Sequence, residues 1–169
     1  LEKLEILKNT IVRRKLFADG LGFTNEIRAI YYDKQRRKLL IGNKDHALAI
    51  FDADGSRTDL HSDANGNKLG RIYGINKDHL GNYWLSCKGD GVIKMTPAAG
   101  GYTFTMFRNE PGNPNSLNNN NAYYTVEDAE GNIWVGTYGG GINIIVPQKN
   151  GTYHILNNRN GLTKYPKDT

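Results

Sequence analysis

Apolar side chains fall in short runs along this chain, such as Leu39-Leu40-Ile41, Leu48-Ala49-Ile50-Phe51 and Ile133-Trp134-Val135, each closed by Gly, Asn or Asp. Runs rich in β-branched and aromatic residues and punctuated by turn formers predict short strands joined by hairpins. The chain holds 20 Gly and, counted along the sequence, 20 Asn, including the run Asn118 to Asn121. Both residue types tolerate positive φ, which tight turns demand. Helix has little place in such a pattern. One stretch departs from it: Leu1, Leu4, Leu7 and Ile11 stand at helical spacing. There the β-branched Ile11-Val12 and a turn at Asn9-Thr10 favour two strands over a helix.

The strands repeat as a unit. Glu127-Asp128-x-x-Gly131-Asn132-x-Trp134-x-Gly136-Thr137 is matched position for position by Lys77-Asp78-x-x-Gly81-Asn82-x-Trp84-x-Ser86-Cys87. A weaker copy around Asp33 has one extra turn residue and Leu40 in place of Trp. The anchors Leu40, Trp84 and Trp134 lie 44 and 50 residues apart, a spacing typical of propeller blades. Strands are predicted near 27–32, 38–43, 46–52 and 57–60, near 71–77, 82–87, 91–95 and 102–107, and near 122–127, 132–137, 141–146 and 152–156. Four antiparallel strands per unit make the sheet of one blade, so the expected class is all-β, a β-propeller fragment. Its parts are the outer strands of a preceding blade (1–19), three whole blades (20–61, 62–110 and 111–160) and the start of another (161–169).

The motif from Glu127 to Ile142 resembles the two-component regulator propeller repeat, found in periplasmic sensor regions of bacterial hybrid two-component histidine kinases. The third unit matches best, the second well, and the first lacks both the turn Gly and the Trp. The resemblance implies an extracytoplasmic, periplasmic sensing segment of an inner-membrane kinase. It further implies an oligosaccharide ligand released from complex glycans, a homodimeric parent, and membrane contact only through that parent. The phosphoaccepting histidine would then lie outside these residues, and no catalytic residue, cofactor or metal is assigned to them.

Blade topology places the turns between the first two strands, and between the last two, on one face. The Asp-x-x-Gly-Asn residues there (Asp78, Gly81, Asn82, Asp128, Gly131 and Asn132) are explained by turn chemistry. The opposite face carries Lys44-Asp45-His46, Lys88-Gly89-Asp90, Tyr138 and the links 18–25, 61–70 and 108–121. Variable loops on a rigid frame commonly carry binding. Five residues before each repeat Asp stand Arg28, Tyr73 and Tyr123, placed to ring the mouth of a central channel with Arg71, Tyr138 and Asn120 or Asn121 around them. Planar aromatics and fork-shaped donors suit a sugar, which offers an apolar ring face and hydroxyls together. Packing between blades is the competing account of the same three positions. Two residues on, Ile30, Ile75 and Thr125 read as packing.

Length and charge refine the picture. The 169 residues carry 22 Lys and Arg against 17 Asp and Glu, a net charge of +5, and hold fewer than four blades. A propeller closes with four to eight, so an arc cut from a larger ring is expected, with remaining blades as its partners and exposed ends prone to self-association. A start at Leu1 instead of Met fits the same reading. Arg13-Arg14-Lys15 and Arg36-Arg37-Lys38 read as solvated charge on an outer strand and in a turn, not as a nucleic-acid contact. Trp84 and Trp134 read as core, and Cys87 as a buried, inert thiol. His46, His61, His79 and His154 share no metal-ligand spacing. Asp52-Ala-Asp54-Gly55 and Asp63-Ala-Asn65-Gly66 lack the first-position Asp and the twelfth-position Glu of a calcium loop and read as turns. A lyase-like propeller enzyme, which would need a metal or an acid/base group at the channel mouth that the sequence does not clearly supply and which loss of turnover on changing Glu26 or Asp45 would support, and a protein-interaction platform are the alternatives to sensing.

Overall fold

The computed structural model describes residues 2–7, 10–15, 26–44, 48–63 and 65–162. The link 18–25, Asp45, His46 and the segment 163–169, expected to open another blade, lie outside the described residues. Fourteen strands and no helix occur among the described residues. The first two, β1 (Glu2–Leu7) and β2 (Thr10–Lys15), pair antiparallel with Leu7 opposite Thr10. Strands thus replace the helix that the leucine spacing alone would suggest.

Three four-stranded antiparallel sheets follow, each in simple up-and-down order. The first comprises β3 (Ile27–Asp33), β4 (Lys38–Asn43), β5 (Leu48–Phe51) and β6 (Arg57–Leu60). The second comprises β7 (Arg71–Lys77), β8 (Tyr83–Lys88), β9 (Gly91–Ala98) and β10 (Gly101–Phe107). The third comprises β11 (Ala122–Glu127), β12 (Ile133–Thr137), β13 (Gly141–Pro147) and β14 (Tyr153–Leu156). These are three propeller blades, stacked so that β7 meets β3 and β4 of the first while β11 meets β7 and β8 of the second.

Burial follows from this stacking. A middle strand lies between two neighbouring sheets and loses the polar alternation of a half-exposed strand, as β5 and most of β8 do. The outer strand β10 keeps alternation along most of its length, because only one of its faces meets protein. One apolar core joins the first two blades through Leu40, Leu48, Ile72, Tyr83, Leu85 and Met95, and a second joins the last two through Trp84, Phe107, Leu117, Val135 and Ile145. Ile75 and Thr125 are buried, as expected of packing positions. Ile30 is not: it is 56% exposed, although Ile41, directly opposite it on β4, and Ala49 beyond it on β5 are fully buried on the same face. On the opposite flank Tyr124 and Val126 are exposed.

The repeat motif has a physical account in the turns. Asp78 Oδ1 accepts the Asn82 N–H at 2.7 Å, while Oδ2 accepts the Asn82 side-chain amide at 2.7 Å and Trp84 Nε1 at 2.8 Å. Asp128 holds Asn132 and Trp134 in the same way, with Trp134 Nε1 at 2.7 Å. Gly81 and Gly131 take φ of 86° and 82°, a left-handed turn conformation that a side chain would strain. One carboxylate therefore closes the turn and fixes the tryptophan, which explains why Asp, Gly, Asn and Trp recur together. The Trp is buried in the second blade and only half-buried in the third, whose far flank is uncovered.

The first blade, which lacks the Trp, uses its aspartate differently. Asp33 is 1% exposed and accepts the backbone N–H of Gln35 and Arg36 at 2.9 and 3.1 Å. Its Oδ2 also accepts Arg36 Nη1 at 3.1 Å, Lys77 Nζ at 2.9 Å and the Tyr83 hydroxyl at 2.7 Å. Burial pushes this carboxyl up, but the hydrogen bonds from Lys77, Tyr83 and Arg36 outweigh it and hold Asp33 well below the usual carboxylate range. Lys77 and Tyr83 belong to the second blade, so Asp33 ties two blades together. Arg36, exposed in the turn as expected, also folds back over the Tyr83 ring at 5.6 Å and bonds to Asp33.

Candidate ligand site

The inner strand of every blade carries a β-bulge at one equivalent place. Register shifts fall between Ile27 and Ala29, between Ile72 and Gly74, and between Ala122 and Tyr124. The extra residue in each is Arg28, Tyr73 or Tyr123, the three positions found by counting back from the repeat Asp. A bulge takes a residue out of the ladder and re-aims its side chain. It also puts Ile72 and Ile75 on the same buried face, although three residues apart they would face oppositely in a regular strand.

The re-aimed side chains meet. The Arg28 guanidinium lies 5.2 Å from the Tyr73 ring centroid, and Tyr73 and Tyr123 meet edge to face at 5.1 Å. Tyr138, in the turn between β12 and β13, continues the row at 6.2 Å from Tyr123 and is 73% exposed. Lys88 Nζ also approaches Tyr73, at 5.9 Å from its centroid. Arg28 forms an ion pair with Glu26, one of the two residues whose change would test the enzyme alternative. Arg71 is exposed and stands directly opposite Lys88 across β7 and β8. Arg28, Tyr73, Tyr123 and Tyr138 thus form one continuous strip over three blades, bordered by Lys88 and Arg71.

Asn120 has a different role from its neighbours. Its Oδ1 accepts the Asn109 N–H at 2.6 Å, and its carbonyl accepts the N–H groups of Gly89 and Gly91 at 3.0 and 2.8 Å. The Asn121 carbonyl accepts the Tyr138 N–H at 2.9 Å, and Asn118 donates its amide to the Gly140 carbonyl. The asparagine run therefore laces the β8–β9 turn to the β12–β13 turn and positions Lys88 and Tyr138 from behind. The link 108–121, expected as a variable binding loop, spends much of its polar capacity internally. Arg159 Nη2, for example, donates to the carbonyls of Ser116 and Leu117 at 2.8 and 3.0 Å.

The other face holds an open cleft of about 570 Å³ lined by Tyr31, Asp33, Lys77, His79 and Glu127, among others. His79 Nδ1 lies 2.5 Å from Glu127 Oε1, and Glu127 Oε2 accepts the His79 N–H at 2.8 Å. This pair crosses from the second blade to the third much as Asp33 and Lys77 cross from the first to the second. The turn reading of this face, based on local chemistry, missed both clasps.

Residues 116–139, which span the asparagine lacing, the Tyr123 bulge and Tyr138, match the two component regulator propeller family. No curated protein matches the chain in sequence. Among solved structures, the chain is similar to the extracellular domain of a protein assigned to a hybrid two component system of B. thetaiotaomicron, with TM-score 0.63 and 21% identity over 87% of this chain and 19% of that one. It is also similar to the extracellular domain of a protein assigned to a one component system of the same organism, with TM-score 0.59 and 18% identity over 79% of this chain and 19% of that one. Virginiamycin B lyase from Staphylococcus aureus shares the fold at TM-score 0.53 and 16% identity, over 81% of this chain and 43% of that one. The chain spans about a fifth of the length of the extracellular domains it resembles. It is a β-propeller segment in which residues 116–139 match the two component regulator propeller family.

Proposed function

We propose that the chain is part of an extracytoplasmic, periplasmic sensing propeller of a hybrid two-component histidine kinase, and that an oligosaccharide binds on the link face. One observation carries this reading: three equivalent bulges present Arg28, Tyr73 and Tyr123 as a continuous strip with the exposed Tyr138. Aromatic faces stack on the apolar side of a sugar ring while phenol and guanidinium groups reach its hydroxyls. Further blades of the same propeller cover the flanks at Ile30 and at Tyr124 and Val126. Bound ligand then biases two arrangements of paired sensor regions in the dimeric parent, and that shift reaches the kinase.

Calorimetry of the full protein against a panel of glycan fragments tests this. Tyr123→Ala and Tyr138→Ala are each expected to weaken the responding ligand about tenfold, the loss of roughly one stacked ring. Normal signalling without binding of any fragment, or unchanged affinity in both variants, overturns the proposal. A lyase-like reading draws on the turn-face cleft with its His79 and Glu127 pair and on the fold shared with virginiamycin B lyase. Ligand turnover that is lost in His79→Ala favours it over sensing.

A further inference from the structure

The border of the tyrosine strip carries an uncompensated positive charge. Arg71 and Lys88 are directly opposite each other on β7 and β8, and both are exposed. Like charges facing across a strand pair repel, so this arrangement is unfavourable by itself. The nearby carboxylates among the described residues are already engaged. Glu26 pairs with Arg28, and Asp90, two residues beyond Lys88, pairs with Arg108 at 3.6 Å. Neither Arg71 nor Lys88 forms an ion pair with a described residue. Tyr73 ties this charge to the strip, since its ring lies within 5.2 Å of the Arg28 guanidinium carbon and 5.9 Å of Lys88 Nζ.

We infer that the link-face site selects an acidic sugar, one bearing a carboxylate or sulfate, with the anionic group seated between Arg71 and Lys88 and the ring laid toward Tyr73 and Tyr123. This deepens the sensing proposal and rests on it. An anion placed there relieves the repulsion and accepts charge-assisted hydrogen bonds from both cations, with the Arg71 fork able to take two oxygens. A neutral sugar gains the stacking and leaves the repulsion in place. Selectivity therefore resides in the charged border, and general sugar affinity in the rings.

The test is calorimetry of the full protein with matched pairs of probes. These are an oligogalacturonate against its methyl ester, and a sulfated disaccharide against its desulfated form. The acidic member of at least one pair is expected to bind on the order of tenfold or more tighter, from one charge-assisted hydrogen bond or more. That preference weakens with added salt and disappears in Arg71→Gln/Lys88→Gln, while neutral binding persists. Arg71→Lys/Lys88→Arg keeps the charges and should keep much of the preference. The Gln pair should also melt no lower than the wild type without ligand, because it removes a repulsion. Which pair responds distinguishes a carboxylate from a sulfate. Equal affinity for charged and neutral members in every pair, or a preference that survives the Gln pair, overturns the inference and leaves the sensing proposal standing. Failure of every sugar to bind overturns both.

Discussion

Replacing Asp33 with Asn removes a charge from a site that is 1% exposed and keeps the side-chain shape. The Lys77 ammonium, 11% exposed, then loses the negative charge of its carboxylate partner at 2.9 Å and is left with neutral acceptors, among them Gln35 Oε1 at 2.8 Å. Breaking a buried ion pair from one side costs about 3–5 kcal/mol, and the remaining contact and partial exposure of Lys77 place this case near the lower end, about 3 kcal/mol. Tyr83→Phe removes one hydrogen bond to a charged acceptor, about 1.5 kcal/mol, because four other donors still hold the carboxylate. The two changes share one network, so together they should cost less than their sum by about 1 kcal/mol. Urea unfolding followed by tryptophan fluorescence measures all three variants. The pH dependence supplies an independent check. Asp33 is held below the usual carboxylate range in the folded state, so its stabilisation is complete above about pH 4 and fades as pH falls toward the folded value. The gap between wild type and Asp33→Asn should narrow in acid. A cost below about 1 kcal/mol at neutral pH, or a gap unchanged in acid, refutes the argument that this carboxylate clasps two blades.

Gly91→Ala should lower thermal stability sharply, because the added Cβ would stand 2.1 Å from the Phe107 carbonyl oxygen and the residue has φ of 77°; a melt within a degree or two of wild type contradicts this. Asn118→Ala should cost about 1–3 kcal/mol in a denaturation series, since it strips partners from the Gly140 carbonyl and the buried Asn143 amide. It should also weaken any ligand that contacts Tyr138, because the turn carrying Tyr138 loses its lacing. Burial pushes the Cys87 thiol up to about 12, so a disulfide reagent at neutral pH should label it only as fast as the protein opens. Rapid labelling without denaturant would show that the β8 core is not closed.

Much of the fold and part of the candidate site were legible from sequence because both rest on local chemistry. The Asp-x-x-Gly-Asn turn is closed by one side chain bonding to neighbours within six residues, so its recurrence marks strands and period alike. The same spacing located Arg28, Tyr73 and Tyr123, since a repeat puts equivalent positions in equivalent places. That these residues are bulged was not legible. A bulge is a mismatch in count between two paired strands, and a single strand's pattern does not record it. Asp33 reads locally as a turn aspartate, but its decisive partners lie 44 and 50 residues away on the next blade. Likewise Asn120, read as a ligand contact, became a support only once the turns at Gly89 and Tyr138 were brought beside it. The sequence by itself therefore determined the strand, turn and repeat architecture, which local backbone preference and periodicity dictate. Tertiary stacking decided which polar groups join the blades, which side chains are re-aimed into a strip, and where charge is left unpaired, because those outcomes depend on how one sheet meets the next.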